Sequence, residues 1–256
     1  MGLIYAHSFT QQHIIRKEDL LLIEKSESRR QELRSKNIHV MALPATSGIE
    51  TADVVLLAVK PQDFEEVATQ LKERLQKNCL LISIMAGIRI ASMQEKLQTK
   101  AVVRAMPNAP ALYGEGMTVY CCSKGMNKKH RQIAAGLLAV TGKSVETKEE
   151  ELLNAVTAVS GSGPAYFFYL AQQMIHEAVA LGIEEKTAEL LVKQTLLGAG
   201  VMLDQSGKSS LELVKTVASK GGTTEAALNV FAEKKLAEIV AEGLQKATKR
   251  ARELAK

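Results

Sequence analysis

The six residues SKGGTT, 219–224, combine side chains and backbone suited to holding a small anion. Gly221 and Gly222 let another group approach the backbone closely, and Thr223 or Thr224 stands where it can cap a helix beginning near Glu225. Exposed N–H groups at that N-terminus, with the helix dipole behind them, suit the carboxylate of a small acid. A second set lies upstream, where three apolar runs end in small or turn-forming residues. These are Ala58, Val59, Lys60 and Pro61; Met85, Ala86 and Gly87; and the turn RAMPNAP, 104–110, whose prolines flank Asn108. In an open parallel α/β sheet, ligands bind at the carboxyl ends of the strands. Three such ends in succession mark a dinucleotide site.

A third set sits at the start of the chain. Met1-Gly2 leads into a helix-like segment over about 3–13, then an apolar run ending at Glu24. Glu24 falls where a ribose-binding acid belongs, roughly 20 residues beyond the last glycine of a G-x-G-x-x-G fingerprint. Gly2 therefore reads as the final glycine of that fingerprint, and the residues before it have no counterpart. Beyond Glu24, the residues Lys25, Ser26, Arg29 and Arg30 offer partners to a 2′-phosphate, whereas Glu24 itself favours a free 2′-hydroxyl. The expected cofactor is NADPH, with NADH as the alternative.

These residues must be positioned by two halves of different rhythm. In residues 1–147, β-rich runs at 20–24, 52–59, 79–85, 101–106 and 117–122 alternate with amphipathic stretches such as 64–75 and 128–139. Apolar strands joined by helices predict a parallel sheet covered on both faces, a Rossmann-like domain with its first strand missing. Residues 148–256 read as all helical, with helical periods over 151–159, 166–181, 184–203, 211–218 and 234–254. Ser209 with Glu212 predicts a capping box. Pro164 suits a first helical turn, and Gly182 suits a position just past a helix end. The segment AYFFYLAQQMIHEAVAL is apolar on more than one face, which predicts burial by neighbours on several sides, a second subunit being one candidate among them.

Composition narrows the function classes. The 256 residues carry a formal charge of +5 and no tryptophan, and no basic run is interleaved with aromatics. Nucleic acid is not an expected partner. No apolar run approaches the length of a membrane span, and the N-terminus lacks a secretory pattern, so a cytoplasmic protein is expected. Cys79, Cys121 and Cys122 have no metal-ligand spacing. His176 lies in the apolar helix as a core or interface residue. His7, His13, His39 and His130 have no partner pattern, so no metal site and no histidine chemistry is expected.

VTAVSGSGPAYFF (156–168) and VKTVASKGGTTEAAL (214–228) resemble the two signature stretches of the pyrroline-5-carboxylate reductase family. ADVVLLAVKP, ISIMAGIRI and VRAMPNAP also match that family's Rossmann half in order and spacing. The resemblance implies an α/β domain followed by a helical dimerisation and substrate domain, active as a homodimer or a higher assembly. It implies that Ser219, Gly221, Gly222 and Thr223 hold the carboxylate of 1-pyrroline-5-carboxylate, with Thr224 against the ring imine nitrogen. The implied reaction is hydride transfer from C4 of the reduced nicotinamide to the C=N carbon, giving L-proline in the last step of proline biosynthesis. An imine is easily protonated, so solvent suffices as the proton source.

The family's opening strand and first glycines are not matched here; Met1-Gly2 matches only the end of that loop. Their absence predicts a disordered N-terminal region, rearranged pairing or a substitute segment, because unpaired buried backbone groups cost roughly 1–3 kcal/mol each. A non-catalytic dimeric scaffold is therefore the alternative to an enzyme. A β-hydroxyacid dehydrogenase fits less well. That family places a lysine four residues after an interdomain glycine, where Phe167 follows Gly163 here.

Overall fold

The structure, a computed structural model, describes residues 1–42 and 48–255. The chain divides into two compact units, Met1–Ser162 with Lys246–Lys256, and Gly163–Gln245.

In the first unit, helices α1 (Gly2–Gln11) and α2 (Glu27–Ser35) precede a sheet of five strands among the described residues. The strands are β1 (Val54–Leu57), β2 (Leu80–Ser83), β3 (Val102–Met106), β4 (Gly116–Cys122) and β5 (Gly142–Thr147), in that spatial order. Helices α3 (Phe64–Leu71), α4 (Ile90–Leu97) and α5 (Lys128–Ala139) join them, and α6 (Leu152–Val156) follows β5. The alternation of side chains explains the layers. On one face Leu81 and Val102 pack with Phe64, Val67 and Leu71 of α3 and Met93 and Leu97 of α4. On the other, Leu80, Ile82 and Val103 pack with Tyr5 and Phe9 of α1 and Leu137 and Leu138 of α5. Tyr5 Oη also lies 3.1 Å from Thr118 Oγ1, which fixes α1 to β4.

The α/β-then-helical class is as expected, but four local expectations change. The sheet is not wholly parallel, since β4 runs antiparallel to β3. The connection, residues 107–115, is shorter than the dozen or so residues that a parallel crossover needs. Residues 20–24 do not form a strand. Leu20 N–H closes a 3-10 turn onto Lys17, and among the described residues only an isolated parallel bridge joins Ile23 to Met41. Strand β5 was not anticipated, because GKSVET is a largely exposed edge strand without an apolar run. Residues 151–159 split into α6 and a π-turn, Thr157–Gly161. Within the described residues β1 pairs with β2 alone and forms one edge of the sheet.

The second unit comprises α7 (Gly163–Ala180), α8 (Glu185–Gln205), α9 (Ser210–Val217), α10 (Thr223–Glu233) and the first part of α11 (Leu236–Leu254). The Ser209–Glu212 capping box is present, Pro164 lies in the first turn of α7, and Gly182 has φ +93°. Ala188 and Val192 are the buried hydrophobic residues of this unit. Phe167, Phe168 and Tyr169, consecutive in α7, are all exposed. No described helix is long and apolar enough to cross a membrane.

Candidate functional site

Gly2 opens α1, and a β-carbon added there would lie 2.7 Å from Ala58 Cβ, just past β1. The helix can pack this closely on the strand end only because residue 2 has no side chain, which is the role of the last glycine in a dinucleotide fingerprint. The first turn of α1 has no acidic residue and no side-chain cap. We expect Gly2→Ala to force α1 away from Ala58 and to destabilise the protein by about 1–3 kcal/mol. The KM for a dinucleotide cofactor should rise at the same time. A thermal melt and a cofactor titration check both effects, and a variant matching the wild type in each would show the contact to be slack.

After Ala58 the chain turns through Val59, Lys60 and Pro61 into a 3-10 turn, Pro61–Asp63. Asp63 pairs with Lys25 at 2.5 Å, which brings this turn beside the Glu24–Ser26 turn. The hydrogen bond to Asp63 holds the Lys25 ammonium above its ordinary pKa. Glu24 accepts from Ser26 N at 2.9 Å, and Ser26 caps α2 by accepting from Arg29 N. Arg30 is buried, and its guanidinium donates to the carbonyls of Glu24 and Lys25 at 2.7 Å each and pairs with Glu27. It shapes this turn from below instead of offering a free cation, while Lys25 and Ser26 are exposed.

At the end of β2, Met85 sinks into the core, its N–H donating to Ser83 Oγ, and Ala86 is exposed. Gly87 has φ +79°, and a β-carbon there would lie 2.4 Å from the Leu254 carbonyl oxygen. The group that approaches Gly87 is therefore the last turn of α11. At the end of β3, Asn108 accepts from Met117 N at 2.8 Å and donates to Ser160 at 3.3 Å. Its amide thus fastens the turn to β4 and to the π-turn.

Sequence reasoning missed the charged cluster beside these loops. Arg104, central in β3 and only 5% exposed, lies 3.0 Å from Glu150 and 3.5 Å from Asn154. Glu150 also accepts from Ile90 N at 2.8 Å, at the start of α4. A charge in the apolar run VVRAM was the available signal, because a buried cation requires a partner. The cysteines carry no comparable chemistry. Burial pushes the Cys79 and Cys122 thiols up to about 11 and about 12, far from a reactive thiolate.

In the second unit the 219–224 loop is tightly folded. Gly222 N–H donates to the Ser219 carbonyl at 3.0 Å, and a β-carbon on Gly222 would lie 2.5 Å from Ser219 Oγ. Gly221 has φ +72° and donates to Glu225 Oε2 at 2.7 Å. Helix α10 begins at Thr223, two residues before the expected start, with Gly222 at the N-cap and no side-chain cap. Thr223 and Thr224 are therefore in the first turn and do not cap it; the reach of Glu225 back to Gly221 sets the earlier start. Thr224 is half-buried, and its hydroxyl makes no hydrogen bond among the described residues.

Residues 150–254 match the family described as pyrroline-5-carboxylate reductase dimerisation, and residues 1–87 match NADP oxidoreductase coenzyme F420-dependent. A pyrroline-5-carboxylate reductase of Haemophilus influenzae is 40% identical over 205 residues, 79% of this chain and 76% of that one. The chain belongs to the pyrroline-5-carboxylate reductase family. A second reductase of this family, from Pasteurella multocida, is 36% identical across 90% of this chain and 85% of its own. The solved structure of the Coxiella burnetii family member covers all of this chain and 95% of that one, with a TM-score of 0.91 at 30% identity. That of Plasmodium falciparum pyrroline carboxylate reductase, with NADP bound, has a TM-score of 0.86 at 27% identity, over 100% and 95% of the two chains. The chain is accordingly an oxidoreductase of nicotinamide-dependent type, and the β-hydroxyacid dehydrogenase reading is set aside.

Proposed function

We propose that this chain reduces 1-pyrroline-5-carboxylate to L-proline with NADPH as the reductant. The observation that carries the reading is the uncapped N-terminus of α10 behind the Ser219–Gly222 turn, in a chain of this family. The backbone N–H of Thr223, with Ser219 and the close approach that Gly222 allows, binds the substrate carboxylate, aided by the helix dipole. The hydroxyl of Thr224, which has no protein partner among the described residues, orients and polarises the imine nitrogen. Solvent delivers the proton to that nitrogen.

The first unit fits a dinucleotide. Gly2 leaves the start of α1 close to Ala58 and free of acidic side chains, as a pyrophosphate requires. Lys25 and Ser26 lie exposed beside Glu24, where a 2′-phosphate would be met. Ala58–Pro61 in sequence, Met85, Ala86, Gly87 and Asn108 supply the remaining strand-end turns. When bound, the reduced nicotinamide supplies a hydride to the carbon of the substrate C=N bond. The test is a spectrophotometric assay with 1-pyrroline-5-carboxylate and either NADPH or NADH. Turnover with both and a higher kcat/KM for NADPH is expected; a folded protein without turnover would leave the dimeric scaffold reading in its place.

Residues 1–147 act as the dinucleotide domain and 148–256 as the dimerisation and substrate domain in this reading. A homodimer follows from the second unit, whose exposed Phe167, Phe168 and Tyr169 leave it little core of its own. Sedimentation should show a dimer or a multiple of it, and Phe168→Glu should produce a monomer or an unfolded chain. A stable wild-type monomer would refute the assembly. Three buried, unpaired cysteines suit a reducing cytoplasmic setting.

A further inference from the structure

We infer that Glu150, held in place by buried Arg104, is a positioning residue for the cofactor-side turn that follows β2. The inference deepens the proposed reductase reading and rests on its assignment of Met85–Gly87 in sequence to the cofactor site.

The turn is followed directly by α4, whose N-cap, Arg89, makes no side-chain cap hydrogen bond. The acceptor missing from the local sequence comes from sixty residues away, where Glu150 Oε1 takes the Ile90 N–H at 2.8 Å. A carboxylate is the favoured partner for a helix N-terminus, because it meets both a free donor and the positive end of the dipole. The same oxygen lies 3.0 Å from Arg104, whose side chain is 6% exposed against 25% for Glu150. Arg104 projects from the middle of β3, which makes it the rigid part of the pair. It fixes the carboxylate, and the carboxylate fixes the start of α4.

The second arm of Arg104 reaches Asn154 at 3.5 Å, and Asn154 in turn donates to Glu151 at 3.1 Å. Glu151 pairs with Arg89, the residue before Ile90, at 3.0 Å. Two routes therefore run from β3 to Arg89 and Ile90, one through Glu150 and one through Asn154 and Glu151. Both approach the turn from the side of α6. The turn also carries the left-handed Gly87, so its path is not set by regular sheet or helix bonding alone. With the Glu150 contact gone, Ile90 N–H loses its acceptor and residues 85–89 keep the Arg89–Glu151 pair alone as their downstream anchor.

The experiment compares Glu150→Ala, Glu150→Gln and Arg104→Met with the wild type by NADPH titration, steady-state kinetics and hydrogen exchange. Glutamine keeps an oxygen for Ile90 N–H. We therefore expect Glu150→Ala to raise the NADPH KM about tenfold, with Glu150→Gln recovering most of the loss. The KM for 1-pyrroline-5-carboxylate should stay unchanged in both. Arg104→Met should resemble Glu150→Ala wherever it folds; Glu150, being partly exposed, provides the variant that tests the idea should Arg104→Met fail to fold. A role confined to stability would lower the melting temperature and the active fraction while leaving the NADPH KM alone, and that result overturns the inference. Hydrogen exchange separates it from the reading beneath. If NADPH protects residues 85–90 of the wild type and Glu150→Ala binds NADPH equally well, only the positioning role falls. If NADPH leaves that turn unprotected, the cofactor assignment falls with it.

Discussion

Thr224→Ala is expected to lower kcat/KM for 1-pyrroline-5-carboxylate by about a hundredfold, the usual consequence of deleting one preorganised donor to a reacting centre. The loss should fall mainly in kcat, because the proposed carboxylate contacts from Ser219 and Thr223 are left in place. The NADPH KM should not move. Stability should change by less than about 0.5 kcal/mol, since the Thr224 hydroxyl bonds to nothing else among the described residues and alanine suits a first helical turn. Thr224→Ser, which keeps the hydroxyl, should retain most of the rate. Equal rates for the alanine variant and the wild type would remove Thr224 from the chemistry and leave the loop as a carboxylate clamp alone.

The largest effect on stability is expected at Gly142, the first residue of β5. Its φ of +138° is a conformation that side-chain-bearing residues rarely adopt. An added β-carbon would lie 2.1 Å from the Gly116 carbonyl oxygen and 2.5 Å from Gly116 N, its register partner on β4. Both obstacles are backbone, so no rotamer change relieves them. Gly142→Ala should cost about 4 kcal/mol, combining the strained dihedral with overpacking. That corresponds to a melting temperature lower by roughly 10 °C. Gly136→Ala is the matched control, since the site lies inside α5 with nothing within 4 Å of the added atom. Removing that helical glycine should stabilise the protein by about 0.5–1 kcal/mol. A Gly142→Ala protein that melts with the wild type would show that β5 can shift without cost.

What the sequence could reveal depended on how locally each feature was encoded. The apolar runs behind β2 and β3 were legible because their own side chains are buried, Leu80, Leu81, Ile82, Val102 and Val103 completely, and those behind β1 and β4 because theirs are at least partly so. The Ser209–Glu212 capping box was legible because both partners lie within one turn. Strand β5 was not, since its pairing comes from β4 and its own residues are polar or exposed. Residues 20–24 failed in the opposite sense: their composition suits a strand, yet among the described residues only Met41 bridges them. In the proposed site, small residues and prolines are what single out the strand ends and the SKGGTT loop. Glu150, Asn154 and Ser160 were not legible, because their partners Arg104 and Asn108 are some fifty residues away. Such pairs leave no spacing pattern to read; only a lone Arg104 amid valines announced one of them.

The contact between Gly87 and Leu254 also bears on the order in which this protein can be built. The first unit takes residues from both sides of the second, 1–162 and 246–256. During synthesis, its sheet and the helices that cover it emerge well before the segment that closes over the turn after β2. The early portion must wait in an unfinished state while the helical unit, itself with scant interior, is made. Contacts of such long sequence separation slow the final step, because the loop must close before they contribute anything. The last turn of α11 thus acts as the latch on a unit whose sheet was complete long before it.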